Sequence, residues 1–519
     1  MFSRKINSIS LAAFLIGFFS FLSRLLGIVR DRILASQFGA GEVLDIYYAA
    51  FRIPDFIFNL LVLGAISAGF IPVFVSLREK QKSSGEIWKF VNNVFHILSL
   101  VLVLFCALGF VFAPFIIKKI SPGFSLEAQA LTVNLTRIMF FSPLFLGISS
   151  IIGGVLQSYK RFLVYSLSPI MYNLGIIFGC LYLVPTLGVT GLAWGVVIGA
   201  FLHMIIGVPI LYKLGFRYEF ILHFRSREIH EITRMMIPRV LSLSISQFNL
   251  FVITIIASTL SVGALSVFNL ANNLQAFPVG IFGISFAIAA FPSLAELSRD
   301  KQKLISNVSL VVRKVLFLVT PFTVIFITLR AQIVRVILGS GKFDWTDTVL
   351  TMETLKFFAL SLFAQSLIPV LTRVFYARKN SFIPFLFALI SALTNIFLCF
   401  YFLDFFEVEA LALAFSLSNI INFILLWVYL RFSLGGLDEL KILVSAMKFS
   451  LAAISCGVII QICKYLIEPF IDMNTFLGVA SQGAFAGISG LTTYLLVCYI
   501  LRSEELLIFL TQIKKRIRK

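Results

Sequence analysis

The sequence predicts an all-α integral membrane protein of about fourteen transmembrane helices, built as two related six-helix repeats with two further helices at the C-terminus. Three observations predict it. The 519 residues are 59% hydrophobic and only 13% charged, with a mean hydropathy of +1.00, whereas a soluble chain carries nearer a quarter charged residues. Apolar runs long enough to cross a bilayer, about 20 residues each, recur from Ser8 almost to the C-terminus. Short segments also return in the same order at nearly constant offset.

The spans fall at 8–29, 44–76, 88–117, 128–158, 162–184, 188–212, 233–261, 264–295, 304–337, 348–376, 381–403, 408–430, 442–467 and 475–501. Those longer than a bilayer needs must tilt, kink or project beyond it. Nothing between them is long enough to fold as a soluble domain. Arg4 and Lys5 precede the first run as in a signal peptide, but Arg24 interrupts it and no small-x-small cleavage site follows, so a retained first helix is expected.

The net charge of +19 is spread through short loops rather than gathered in a patch, which speaks for membrane topology and against nucleic acid. Lys and Arg in or beside the loops on the N-terminal side outnumber those opposite by about three to one, placing both termini in the cytoplasm. The outer loop between spans 11 and 12 carries Asp404, Glu407 and Glu409 instead. The C-terminal Lys514, Lys515, Arg516, Arg518 and Lys519 are suited to rest on anionic lipid. Cys106, Cys180, Cys399, Cys456, Cys463 and Cys498 all lie in apolar segments without ligand spacing and read as small core hydrophobes.

The repeat pairs Ile33-Leu34-Ala35-Ser36 with Ile255-Ile256-Ala257-Ser258, and Gly41 with Gly263, at an offset of 222. Phe70-Ile71-Pro72 pairs with Ala290-Phe291-Pro292 at 220, and Val189-Thr190-Gly191-Leu192-Ala193 with Val408-Glu409-Ala410-Leu411-Ala412 at 219. An even number of helices per repeat gives both halves the same orientation, with a site expected between them. The domains are then an N-lobe over 1–220, a C-lobe over 221–435, and the last two helices with the basic tail over 436–519.

Ionisable residues inside spans are costly, about 2.5–3.5 kcal/mol each at the bilayer centre, and persist where a cavity or partner satisfies them. Arg24 lies deep in span 1, three residues before Gly27, with Arg30, Asp31 and Arg32 at its far end. In span 2, Asp45, Arg52 and Asn59 recur every seven residues on one face, with Asp55 beyond a kink at Pro54. Span 7 places Arg239, Ser242, Ser246 and Asn249 on one face, and span 8 adds Asn269, Asn272 and Asn273. The four spans are expected to line a shared, cationic cavity. Plainer readings stay open: Asp45 and Arg52 as a pair across two turns, Arg239 as a headgroup residue, and the Asn and Ser stripes as interhelical hydrogen bonds. Arg313, Lys314, Lys356, Arg373 and Lys448 read as near-interface residues with snorkelling stems.

Enzyme signatures are missing. The four histidines form no HExxH, and there is no G-x-S-x-G, no Walker A and no carboxylate cluster for a metal–diphosphate site. No cofactor or metal is expected, and transport would draw on gradients, membrane potential or a downhill substrate.

At Ser23-Arg24-Leu25-Leu26-Gly27-Ile28-Val29-Arg30-Asp31, through Phe38-Gly39-Ala40-Gly41 to Asp45, the chain resembles the MurJ (MviN) lipid II flippases of the MOP exporter superfamily. The likeness continues at Gly64-Ala65-Ile66-Ser67, Phe70-Ile71-Pro72, Pro122-Gly123-Phe124, Phe277-Pro278-Val279-Gly280, Gly341-Lys342-Phe343 and Phe375-Tyr376-Ala377-Arg378 with Pro384. It implies a fourteen-helix fold with a V-shaped cavity between two lobes, and a lipid-facing groove at helices 13 and 14. It further implies alternating access that carries undecaprenyl-diphosphate-linked disaccharide-pentapeptide (lipid II) outward across the bacterial inner membrane for peptidoglycan synthesis, by a monomer among membrane lipids. Arginines suit a diphosphate, which they bind through charge-assisted, often bidentate hydrogen bonds. Residue by residue, the family's span-1 arginines match Arg24 and Arg30 and its span-2 acid matches Asp45; Arg52, Arg239, Asn272 and Asn273 complete the expected substrate site. Phe58 and Asn273 stand where the family's pattern has arginines, and spans 7 and 11 lack a deep carboxylate for a sodium site. Competing readings are an exporter of another polyprenyl-diphosphate-linked glycan, a drug antiporter of the same superfamily, and a non-transporting scaffold for cell-wall enzymes.

Overall fold

The computed structural model describes residues 9–64, 66–80 and 84–517, without the side chains of 9–14, 16, 63, 67, 68, 84, 238, 242, 509 and 512–517. Arg4, Lys5, Ser8, Ala65, Arg518 and Lys519, and the side chains of Ser67, Ser242, Lys514, Lys515 and Arg516, therefore lie outside the described residues. Among those described, every regular element is helical.

In chain order the long helices are α1 (Ile9–Phe38), α2 (described over residues 42–64 and 66–79, opening with Glu42–Ile57), α3 (Ser84–Ile120), α4 (Leu126–Ser158), α5 (Phe162–Leu187), α6 (Thr190–Lys213), α7 (Arg227–Ser258), α8 (Ala264–Arg299), α9 (Lys301–Thr328), α10 (Trp345–Ala359 and Leu362–Ala377), α11 (Phe382–Phe402), α12 (Val408–Leu434), α13 (Glu439–Phe470) and α14 (Phe476–Ile500). A last helix, α15, spans Glu504–Ile517. Among the described residues, eleven helices are long and apolar enough to cross a membrane, or twelve with the bent α10. Helix α1 and helix α2 stand outside that count, and α2 carries Glu42, Asp45, Arg52 and Asp55 near its start. The most apolar window of α3 is only 28% buried although its hydropathy is 2.9. Phe112, Phe115, Phe397, Phe432 and Leu477 are likewise exposed. Side chains this apolar and this open require lipid around them.

The chain divides into two compact units, Met1–Ser266 and Val267–Lys519. In the first, glycines let helices meet backbone to backbone. A Cβ on Gly175 would sit 2.2 Å from the Gly199 Cα, and one on Gly179 would sit 2.3 Å from the Gly195 Cα. That seam brings α5 against α6, the small-residue packing expected inside a bilayer. The middle of α2 packs on α7 in the same way, since a Cβ on Gly69 would meet Ile232 Cγ2 at 2.8 Å. In the second unit, Phe317, Phe449, Cys456, Ile460, Tyr494 and Cys498 form a core among α9, α13 and α14, and the Tyr494 hydroxyl donates to the Phe317 carbonyl at 2.8 Å. All six cysteines are free, and all but Cys463 are buried.

The structure departs from the sequence expectations in several places. Helix α1 does not stop near residue 29 but runs to Phe38, so Arg30, Asp31 and Arg32 lie inside it; Gly27 neither breaks it nor meets a neighbour. Span 9 ends at Thr328, and a separate short helix, Arg330–Ile337, follows. Span 10 bends by 45° at residues 360–361, where the Ser361 hydroxyl turns to Ser416 Oγ at 2.9 Å. Arg313 is no snorkelling residue: it is buried and paired with Glu505 at 2.5 Å and Glu504 at 3.0 Å. That pair fixes α15 to α9, and Ser445 of α13 also donates to Glu505 at 3.0 Å. Lys356 pairs with Glu353, which Arg330 also meets at 3.1 Å.

Candidate binding site on the first two helices

The apolar context of α1 and α2 leaves their charged residues two choices, pairing or a polar chamber. The structure shows pairing and hydrogen bonding at several of them. On α1, Arg30 lies against the neighbouring Asp31, donating from Nη2 at 2.8 Å and from Nε at 3.0 Å. Its Nη1 donates to Asn173 Oδ1 of α5 at 3.2 Å. Asn173 is held in turn by the carbonyls of Ser23 and Pro169, at 3.3 and 3.2 Å. The guanidinium is thus fixed by a carboxylate on its own helix and an amide on another.

Asp45, at the start of α2, is buried and accepts three hydrogen bonds. Its donors are the backbone N–H groups of Gly263 and Ser266, each at 2.7 Å, and the Ser266 hydroxyl at 2.6 Å. These N–H groups belong to the turn before α8 and its first residues, where helical N–H groups lack intrahelical partners. Gly263 has φ +93, and a Cβ there would lie 1.8 Å from the Ala40 carbonyl oxygen. Only glycine fits, so the two Gly-containing turns that the repeat matched are interlocked in this structure. Asp45's part in the site is this latch.

Arg52, two turns further along α2, donates from Nε to Thr254 Oγ1 of α7 at 2.7 Å. Asp55 lies within electrostatic range of both Arg52 and Arg30. Tyr48 lies within range of Asp31, Arg30, Arg52 and Asp45, and its buried hydroxyl has no hydrogen-bond partner among the described residues. Arg24 is half-buried on α1, and Arg239 is exposed on α7.

The structure therefore gathers Arg30, Asp45 and Arg52 around Tyr48 within the first unit, with Arg24 nearly two turns before Arg30 on the same helix. Asn272 and Asn273 fall in the second unit. There Asn272 Oδ1 accepts from Gln275 Nε2, and Gln275 Oε1 accepts from Gln365 Nε2, both at 2.9 Å. Tyr48, Asn173 and Thr254 were not singled out by sequence reasoning. The only signal for them was position: Tyr48 and Asn173 are polar residues deep in apolar spans, one turn from a named arginine or hydrogen-bonded to one.

The stretch 24–55 is balanced in charge. It carries four arginines and four carboxylates. Two of those acids are bonded locally, Asp31 to Arg30 and Asp45 to the backbone of Gly263 and Ser266. Guanidinium groups as a class bind phosphate oxygens by charge-assisted hydrogen bonds, and the buried Tyr48 hydroxyl lies among those of this stretch.

Known proteins are similar to this chain in sequence and in fold. A family model described as lipid II flippase MurJ matches residues 34–480. A probable lipid II flippase MurJ of Buchnera aphidicola subsp. Acyrthosiphon pisum is 32% identical over 78% of this chain and 80% of its own length. The probable lipid II flippase MurJ of Thermotoga maritima is 28% identical over 94% and 95%. A solved lipid II flippase MurJ in an inward closed conformation superposes with a TM-score of 0.77 at 25% identity, covering 94% of this chain and 98% of that one. A multidrug resistance MATE family transporter of the MOP superfamily shares the fold, with a TM-score of 0.66 at 16% identity over 80% of this chain and 96% of its own. By sequence along most of its length and by fold, the chain belongs to the lipid II flippase MurJ family.

Proposed function

We propose that the chain is a flippase that carries lipid II from the inner to the outer leaflet of the cytoplasmic membrane by alternating access. The observation that carries this reading is the family match across residues 34–480, joined to the shared fold over 94% of the chain. In this reading Arg24, Arg30 and Arg52 receive the diphosphate, with Tyr48 donating a further hydrogen bond, while Arg239, Asn272 and Asn273 meet the rest of the headgroup. Asp45 holds the α7–α8 turn while the prenyl tail stays in lipid. The work is transport and not catalysis, because no covalent step is needed to move an intact headgroup.

The reading extends to topology. Helices α1 to α14 all cross the bilayer of the inner membrane, with both termini cytoplasmic, in an N-lobe over 1–220, a C-lobe over 221–435 and a terminal pair over 436–519, acting as a monomer. Support for the repeat comes from backbone geometry. A π-helical turn occupies Phe58–Leu63 of α2 and another occupies Val279–Ile284 of α8, an offset of 221 from Phe58 to Val279. That value lies among the offsets of the sequence matches.

The test is rescue of a strain depleted of its own flippase. The wild-type chain is expected to restore growth, and Arg24→Ala to fail at equal membrane abundance. Wild type that inserts normally and does not rescue would assign another cargo, such as a different polyprenyl-diphosphate glycan. Rescue by Arg24→Ala together with Arg30→Ala would favour a scaffold.

A further inference from the structure

Apart from the arginine cluster, the first unit encloses a pocket of about 400 Å³ walled by α1, α2, α4, α5 and α6, a size within the range of small-ligand sites, about 300–1,000 Å³. Its lining contains no Asp, Glu, Lys or Arg; its polar groups are hydroxyls and one imidazole, and Phe58, Tyr165 and Tyr172 supply aromatic faces. A lining without charge rejects phosphates and metal cations, while its apolar and aromatic faces carry hydroxyls at a few points. It suits an uncharged ring bearing hydroxyl groups.

Two of its polar atoms await a partner. Ser166 is 5% exposed, and its Oγ is buried without a hydrogen bond among the described residues. A buried hydroxyl left in that state is unfavourable until something pairs with it. His203 of α6 meets Ser149 Oγ through Nδ1 at 2.7 Å, while the same hydroxyl donates to the His203 carbonyl at 2.9 Å. A hydroxyl has one proton, so the arrangement that satisfies both bonds has Nδ1–H donating to Ser149. The lone pair of Nε2 is then an acceptor, with no partner among the described residues. Ser166 and His203 thus offer one donor–acceptor and one acceptor, the pair a sugar hydroxyl uses.

The pocket also lies beside the arginine site. Pro169 and Tyr172 line it, and the next residue, Asn173, holds Arg30 at 3.2 Å. Tyr172 is within electrostatic range of Arg30 and Asp55. Ser20 of α1 lines the pocket one turn before Arg24.

We propose that this pocket is a sugar subsite: an uncharged hexose ring of the cargo enters it while the diphosphate attached to that sugar is held by the neighbouring arginines. The proposal rests on the flippase reading above and adds to it where the glycan is recognised. Charge then selects the linkage, and the hydroxyl-lined pocket selects what the linkage carries.

The experiment compares two probes on the full chain in lipid nanodiscs: undecaprenyl diphosphate, and the same lipid bearing a neutral disaccharide without peptide. Wild type is expected to bind the glycosylated probe about tenfold more tightly, the worth of one or two hydrogen bonds. Ser166→Ala removes one oxygen without adding bulk, and His203→Phe keeps a ring but no acceptor; each is expected to bring the ratio close to one while leaving undecaprenyl diphosphate binding unchanged. Ser166→Leu, which fills the pocket, is expected to do the same. Equal binding of both probes by wild type, or a preference that survives all three substitutions, overturns the subsite and leaves the flippase reading standing. Binding of neither probe overturns the flippase reading and the subsite with it.

Discussion

The hairpin formed by α1 and α2 holds its polarity as ions, whereas the one formed by α7 and α8 holds it, beyond Arg239 and as far as Ala295, as amides and hydroxyls. Between residues 24 and 55 there are eight charged side chains, but between residues 240 and 295 there are none. The difference shows in the bonding. Ions in the first hairpin are anchored to other helices, Arg30 to Asn173, Arg52 to Thr254, and Asp45 to the turn at Gly263. Amides in the second answer one another, as Asn272, Gln275 and Gln365 do. An ion in an apolar setting makes strong demands on its surroundings and is costly to strand; an amide chain is self-sufficient and weakly demanding. The first hairpin concentrates ions and the second concentrates amides.

The largest effect should come from unlatching Asp45. Asp45→Ala strands two backbone N–H groups and a hydroxyl, and is expected to lower stability by about 3–5 kcal/mol, seen as an earlier thermal transition of the purified protein. Gly263→Ala, which forces a Cβ onto the Ala40 carbonyl, should move the transition the same way. If neither shifts it, the ionic hairpin is not what holds this turn.

Next in size is Arg24→Ala. Loss of a charge-assisted bond of about 1.5–3 kcal/mol should weaken binding of undecaprenyl diphosphate about tenfold to a hundredfold, while Asn272→Ala changes it by less than about threefold. Equal losses at the two positions would erase the contrast between the hairpins.

A smaller change is expected at the other buried ion, Arg313. Glu505→Gln leaves Glu504 in place at 3.0 Å, so destabilisation of about 1–3 kcal/mol is expected. The double variant Arg313→Met, Glu505→Leu should recover most of it, because an apolar pair replaces an ionic one at little cost. Limited proteolysis at α15 reads the outcome, and a double variant cut faster than the single one would oppose it. Smallest of all, Gln365→Leu should cost about 1 kcal/mol by shortening the amide chain. A larger loss, measured by thermal unfolding, would show that the second unit depends on its polar network as much as the first depends on its ions.

Much of this was legible in the sequence, because in a bilayer an apolar run and a helix are nearly the same statement. The positions of α3 to α8 and of α11 to α14 follow from run length alone, whereas the run at span 9 hid the break after Thr328. Helix α1 was cut short because Arg30, Asp31 and Arg32 resemble a loop until it is known that Arg30 pairs with its neighbour and with Asn173, 143 residues away. The 45° bend in α10 had no local mark, since Leu360 and Ser361 are unremarkable until Ser416 is brought beside them. Arg313 looked like an interfacial residue because its partners, Glu504 and Glu505, lie nearly two hundred residues further along. In the site, the arginines and Asp45 stood out by charge, while Tyr48, Ser166 and His203 did not, being single polar atoms whose significance depends on what surrounds them.

The paired wide turns in α2 and α8 bear on how such a molecule changes shape without exposing its backbone to lipid. A π turn accommodates one more residue than an α turn. Rewinding it to α geometry advances the rest of the helix by about 1.5 Å and swings it by about 100°, while every carbonyl finds a new donor within the same strand of chain. Slack of this kind in α2 and α8 would let side chains beyond residue 63 or 284 be re-aimed with the backbone hydrogen bonds kept inside the helix.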